Sequence, residues 1–281
     1  MKYTLGFSPC PNDTFIFDAL VNNKIDTGNF EFDVRLKDVE TLNELAIKRT
    51  LDFTKVSYGV LPLIAENYKI LNSGSALGKG VGPLLISKKQ ISFEEVDKCT
   101  IAIPGENTTA HLLFNQAFPN AKEKVFKRYD EIENFVLNGN ENSLGVIIHE
   151  NRFTYFDKGL NKIVDLGNFW EEKTGYAIPL GGIVGKRSID EIILMKIDSL
   201  IKQSIEYAFK NYPLITDYVK MHSQEMATEV MKKHIDLYVN NYSIDLGRDG
   251  KKAIQQVLEV YNKSHAKKIE LSKNELFVES V

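Results

Sequence analysis

Two glycine-rich extended passages, GKGVGPLLISKK at 78–89 and GYAIPLGGIVGKR at 175–187, constrain the fold more than any other feature of the chain. They bracket one compact α/β stretch, so a chain that leaves by the first and returns by the second builds two lobes joined by two crossings. The lobes expected are 1–87 with 183–281, large and discontinuous, and 88–182, small.

Within each lobe short β-like runs alternate with helical patterns, which predicts sheets flanked by helices. In the first, runs at 3–7, 32–36 and 52–56 lead into helical segments at 14–22, 40–48 and 58–65. Phe32, Val34 and Leu36 alternate with Asp33 and Arg35, the period of a half-buried strand. In the second, runs at 100–103, 125–128 and 144–148 frame helical segments at 108–118 and 130–137. After Ser188 the pattern is helical over 189–212, 214–221, 225–240 and 247–262, and these helices are expected to pack on the first lobe.

Composition narrows the partner. Lys and Arg number 35 against 38 Asp and Glu, a net charge of −3, so no basic footprint points to nucleic acid and a small molecule is expected instead. Cys10 and Cys99 lie far apart outside any C-x-x-C pair, which fits a reducing compartment and offers no metal site. The opening MKYTLGFSPC passes into a strand without the apolar region of a secretory signal, and no apolar run nears the roughly 20 residues that span a bilayer. A cytoplasmic protein without membrane contact is expected.

Four motifs stand where strands end, the edge at which α/β sheets take ligands. In SPCPNDTF, 8–15, Asn12 or Asp13 can cap a helix opening at Thr14, or the loop can line a crevice. In PGENTTAHLLF, 104–114, Thr108 and Thr109 open a helix whose N–H groups suit a carboxylate or phosphate, and plain capping uses the same residues. His111 reads as a packed or surface histidine. TKVSYGVLPL, 54–63, sets Lys55 and Ser57 on one side of a strand and Val56 on the other, with Lys55 either solvated or turned inward. In GVIIHENRF, 145–153, the run Val146, Ile147, Ile148 stops at His149, whose neutral imidazole can serve as a base at about neutral pH; a structural histidine fits the same place.

Other features carry less. GSALGKG at 74–80 misses the phosphate-loop spacing, and glycine rather than Ser or Thr follows Lys79. His222, His234 and His265 read as surface groups, and Trp170 as core.

Together and in this order, SPCPNDTFIFDAL, TKVSYGVLPL, PGENTTAHLLF and GVIIHE resemble the 1,4-dihydroxy-6-naphthoate synthases of the futalosine pathway of menaquinone biosynthesis, over nearly the whole chain. The resemblance implies a type II periplasmic-binding-protein-like fold, two α/β lobes around a central cleft with a helical C-terminal part, in agreement with the two crossings. It implies a carbon–carbon lyase that converts cyclic dehypoxanthine futalosine, an aromatic carboxylate, to 1,4-dihydroxy-6-naphthoate without metal or organic cofactor. Carried over by motif, His149 is the proton acceptor, and Lys55, Val56, Ser57, Thr109 and Ala110 fall in substrate-binding segments.

On the helix-start argument above, applied to that substrate, Thr108 would join the helix start that holds an oxyanion, and Ser57 would bond a polar edge of the substrate. Lys55 would add positive charge if it turns inward, and Asn12 and Asp13 would shape the wall. Lobe closure would expel water, so stiffening at Gly80 or Gly182 should depress turnover more than stability. The same fold also serves a non-catalytic solute receptor, a chorismate dehydratase of the same pathway, or a ligand-sensing module of a regulator. Oligomeric state is open.

Overall fold

The computed structural model describes residues 1–223, 227–264 and 268–279. The expected helix start at 225 and the surface reading of His265 lie outside the described residues. The chain divides into two compact units, Met1–Gly78 with Pro179–Val281, and Lys79–Ile178, and both divisions fall inside the glycine-rich passages.

In chain order the elements of the first unit are β1 (Lys2–Phe7), α1 (Pro11–Val21), β2 (Glu31–Leu36), α2 (Val39–Ile47), β3 (Phe53–Ser57), α3 (Leu61–Ile64), β4 (Tyr68–Ile70) and β5 (Ala76–Gly78). The second unit follows with β6 (Leu84–Ser87), β7 (Thr100–Ile103), α4 (Thr109–Ala117), β8 (Lys124–Phe126), α5 (Ile132–Asn138), β9 (Ser143–Ile147), α6 (Asn151–Thr154), β10 (Asn161–Asp165) and α7 (Leu166–Thr174). The chain then returns through β11 (Ile178–Lys186) to α8 (Glu191–Asn211), α9 (Asp217–His222), α10 (Thr228–Tyr238), α11 (Asn241–Ile244) and α12 (Gly247–Ser264).

The sheet of the first unit has the order β2-β1-β3-β11-β4, with β5 also on β11. β1 pairs in parallel with β2 and β3, placing Leu5 opposite Val34 on one side and Phe53 on the other. Parallel pairing brings the carboxyl ends of these three strands to one edge, where ligands bind in such sheets. Their apolar residues meet α1, which is buried from Pro11 to Leu20. The helix is buried on every side, and its polar residues Asn12, Asp13, Thr14 and Asp18 are buried with it. It packs Phe17 on Phe7 with ring centroids 4.3 Å apart, and a fully buried Phe side chain contributes about 2–3 kcal/mol.

The helices after Ser188 close this core. Leu194, Ile197, Ile201 and Ile205 of α8 join Val219 of α9 and Met231 and Ile235 of α10 around α1. His234 is corrected here: it is fully buried, its ring 4.7 Å from that of Tyr238. Its lysine neighbours suggested a surface, but it shares the buried face of α10 with Met231 and Tyr238, one turn away on either side.

Gly182 is a second correction. It lies within β11 opposite Val56, and a Cβ there would meet Tyr58 Oη at 2.0 Å and Ser75 Oγ at 3.0 Å. It is a close-packing position, where any side chain costs stability. Gly80 is different in kind, with φ of +67° and open space where a Cβ would go.

In the second unit the order is β10-β6-β9-β7-β8. β7 runs parallel to both β9 and β8, with Ile101 opposite Leu144 and Lys124, so these strands too share a carboxyl edge. β6 and β10 run antiparallel, and Leu84, Ile86, Ala102, Ile132, Val136 and Ile147 form the core. Trp170 is fully buried as expected, its Nε1–H donating to Ala177 O at 3.3 Å. Among the described residues no helix is long and apolar enough to cross a membrane.

Candidate active site

At the carboxyl edge of the first sheet, α1 opens at Pro11, three residues before the expected start. Proline suits a first helical position because the N–H it lacks has no partner there. Neither Asn12 nor Asp13 is therefore the cap: that position is Cys10, which makes no side-chain cap bond. Asp13 instead points its carboxylate at its neighbours. Oδ2 accepts from Ser8 N at 3.1 Å and Ser8 Oγ at 2.8 Å, while Oδ1 accepts from Asn12 Nδ2 at 2.8 Å and Lys55 Nζ at 2.8 Å.

Lys55 is not solvated. Its side chain is 7% exposed, and its ammonium also donates to Gly74 O at 2.9 Å. It does turn inward, but toward Asp13, so the pair is neutral overall and all the acceptor sites of the carboxylate are filled. Asn12 Oδ1, by contrast, is a buried acceptor with no protein partner among the described residues. Ser57 ends β3 beside this group, and its N–H is fixed by Asn43 Oδ1 at 2.9 Å. Val56 between them is core, fully buried. Tyr58 Oη lies 2.7 Å from Ser75 Oγ, and complete burial pushes its phenol far above the ordinary range.

The second unit brings Thr108, Thr109, Ala110 and His149 to one edge, because β7 and β9 are parallel neighbours that end there. Thr108 is the N-cap of α4, its Oγ1 accepting from His111 N at 3.2 Å and donating to Gly105 O at 2.9 Å. The start of α4 carries the positive end of the helix dipole. His111 is packed, with Nδ1 2.7 Å from Glu106 O and its ring 5.1 Å from Phe126, and burial holds its pKa below the ordinary histidine value.

His149 follows β9 by two residues and has φ of +57°. A left-handed backbone is uncommon outside glycine and costs on the order of 1–2 kcal/mol, so surrounding structure must hold it. The imidazole is half-buried, and Tyr129 packs edge-on against it with centroids 4.9 Å apart. Tyr129 enters from the loop after β8, the other parallel neighbour of β7. It escaped sequence reasoning because nothing local ties KRYDE to HEN. Ser8 and Asn43 were missed for the same reason; a serine directly after β1 is a signal that could have found the first, whereas Asn43 sits inside α2 and carries no such signal.

A half-buried imidazole beside a helix start can take a proton while the helix holds a developing negative charge. Among the described residues no group of three or more His, Cys, Asp or Glu could hold a metal ion.

Known proteins resemble the chain over most of its length. The family described as menaquinone biosynthesis matches residues 3–263. A Thermus thermophilus protein named 1,4-dihydroxy-6-naphtoate synthase is 40% identical over 253 residues, covering 90% of this chain and 91% of that one. The crystal structure of protein AF1704 from Archaeoglobus fulgidus matches with a TM-score of 0.87 at 30% identity, over 93% of this chain and 97% of that one. The periplasmic aliphatic sulphonate binding protein SsuA of Escherichia coli matches at 0.67 with 9% identity, over 100% and 92% of the respective chains. At that identity the likeness is one of fold alone, and the fold is periplasmic-binding-protein-like.

Proposed function

The chain belongs to the menaquinone biosynthesis family, and on that premise we propose that it is a 1,4-dihydroxy-6-naphthoate synthase, a carbon–carbon lyase acting on cyclic dehypoxanthine futalosine. The observation that carries this reading is His149, held in a left-handed turn at the carboxyl end of β9, on the same sheet edge as the start of α4.

The reaction removes a proton, breaks the bond to the sugar-derived part, and leaves the ring aromatic. Neutral His149 accepts the proton, and a positioned base of this kind contributes typically about 10²- to 10⁴-fold. The backbone at Thr108, Thr109 and Ala110, with the α4 dipole behind it, holds an oxyanion. In the first unit, Asn12, whose Oδ1 is buried without a protein partner among the described residues, and Ser57 are the residues proposed for substrate binding. Lys55 and Asp13 serve these contacts indirectly, by fixing Asn12 and the start of α1.

The test is incubation of the full chain with cyclic dehypoxanthine futalosine, following 1,4-dihydroxy-6-naphthoate by chromatography and mass. Product formation at enzymic rate supports the reading. Substrate bound and released unchanged would replace it with a receptor, and conversion of chorismate instead would replace it with the dehydratase.

A further inference from the structure

The turn that carries His149 is gripped on both flanks by side chains that the chemistry above does not use. On one flank Asn151 Nδ2 donates to Glu133 Oε2, which also accepts from Lys158 Nζ at 2.6 Å, and the Glu133 side chain is 3% exposed. On the other flank Arg152 spreads its guanidinium over three acceptors. Nη1 donates to Gly82 O, and Nη2 donates to Gly80 O at 2.9 Å and to Asp165 Oδ2 at 2.7 Å.

These acceptors are themselves fixed. Asp165 caps α7 by accepting from Gly167 N at 2.9 Å, and Gly82 lies so near Gly167 that a Cβ on it would meet Gly167 Cα at 2.4 Å. Gly80 N donates in turn to Glu171 Oε1 at 2.7 Å. Arg152 is joined to His149 as directly as two residues in one turn can be, its N–H donating to His149 O at 3.3 Å.

We infer that Arg152 is a positioning residue for His149: its guanidinium ties the His149 turn to the carbonyls of Gly80 and Gly82, where the chain enters the second unit, and to the carboxylate of Asp165. A left-handed histidine persists only where its surroundings over-determine it. Arg152 supplies that determination, and the planar fork of a guanidinium is what reaches several acceptors at once, which a lysine does not do. The inference rests on His149 being the base of the proposed reaction.

The experiment compares wild type, Arg152→Gln, Arg152→Lys and Arg152→Ala as full chains in steady-state turnover of cyclic dehypoxanthine futalosine, with circular dichroism and thermal melting alongside. The expected result is a loss in kcat of about 10- to 100-fold in Arg152→Gln and Arg152→Lys, with KM within about threefold, because the base is displaced while the substrate contacts remain. Added guanidinium ion should restore part of the kcat of Arg152→Ala and none of that of His149→Ala. If Arg152→Gln does not fold, Arg152→Lys keeps the charge and the alkyl packing and reads the same quantity.

Product from wild type with kcat unchanged in the folded variants, or a loss confined to melting temperature, overturns this assignment and leaves the proposed reaction standing. No product from wild type overturns both.

Discussion

The carboxyl edges of the two sheets are built alike and settle their charge differently. In the first unit Lys55 and Asp13 are buried together, and every acceptor site of the carboxylate is met by Ser8, Asn12 or the lysine. In the second unit a half-buried histidine stands in a left-handed turn, with Tyr129 packed edge-on against its ring. Like strand order and loop placement therefore carry unlike arrangements of charge. A closed ionic network is suited to holding shape, whereas an imidazole whose backbone is held from outside is suited to exchanging a proton.

The strongest way to break this contrast is to open the closed network. Lys55→Met leaves Asp13 buried without its cation and should cost about 3–5 kcal/mol in urea unfolding, whereas Lys55→Met with Asp13→Asn should recover part of the loss. A small effect for the single substitution would mean that the pair is not the scaffold described here.

The next contrast separates the crossings. Gly182→Ala drives a methyl into Tyr58 Oη and should cost about 1–3 kcal/mol, with loss of melting temperature. Gly80→Ala meets no atom and should cost about 1–2 kcal/mol, from its left-handed backbone alone. A Gly182→Ala protein as stable as wild type would contradict the packing at β11.

In the second unit, Thr108→Ala removes the cap of α4 and should cost about 1 kcal/mol by thermal unfolding. No change would mean that the cap bond is made good by water or backbone.

The smallest effect lies at the opposite end of the first sheet. Burial works to raise the Asp52 pKa, but bonds from Thr4 N and Thr4 Oγ1, each 2.9 Å, and from Lys186 at 3.1 Å win and hold it below the ordinary aspartate value. A lowered folded-state pKa contributes stability that is present above about pH 4 and lost as pH falls through the folded value. Asp52→Asn should therefore lower stability at neutral pH and flatten the acid limb of a stability-against-pH curve. An acid limb unchanged in the variant would remove Asp52 from that account.

What the sequence made readable was local. The run at 100–103 is the strand Thr100–Ile103, and the alternation in 32–36 is the half-buried β2. Strand-end reasoning places Thr108 and His149 at sheet edges, because parallel strands deliver their following loops together. The start of α1 was read late because Pro11 looks like loop and is also a good first helical residue. β4, β5 and β10 went unread, the first two being three residues long and the last, NKIVD, half polar.

The contacts that give the two edges their character are non-local. Lys55 meets Asp13 across 42 residues of chain, and Tyr129 reaches His149 from a different strand. No spacing rule spans such separations, which is also why Lys55 could be read as solvated.

The central claim, that His149 performs the proton transfer, is tested most directly by comparing His149→Ala with wild type in single-turnover conversion of cyclic dehypoxanthine futalosine, with substrate affinity measured by calorimetry. The expected result is a folded variant that binds the substrate within a few-fold of wild type and converts it about 10²- to 10⁴-fold more slowly. Conversion at the wild-type rate by His149→Ala would contradict the claim.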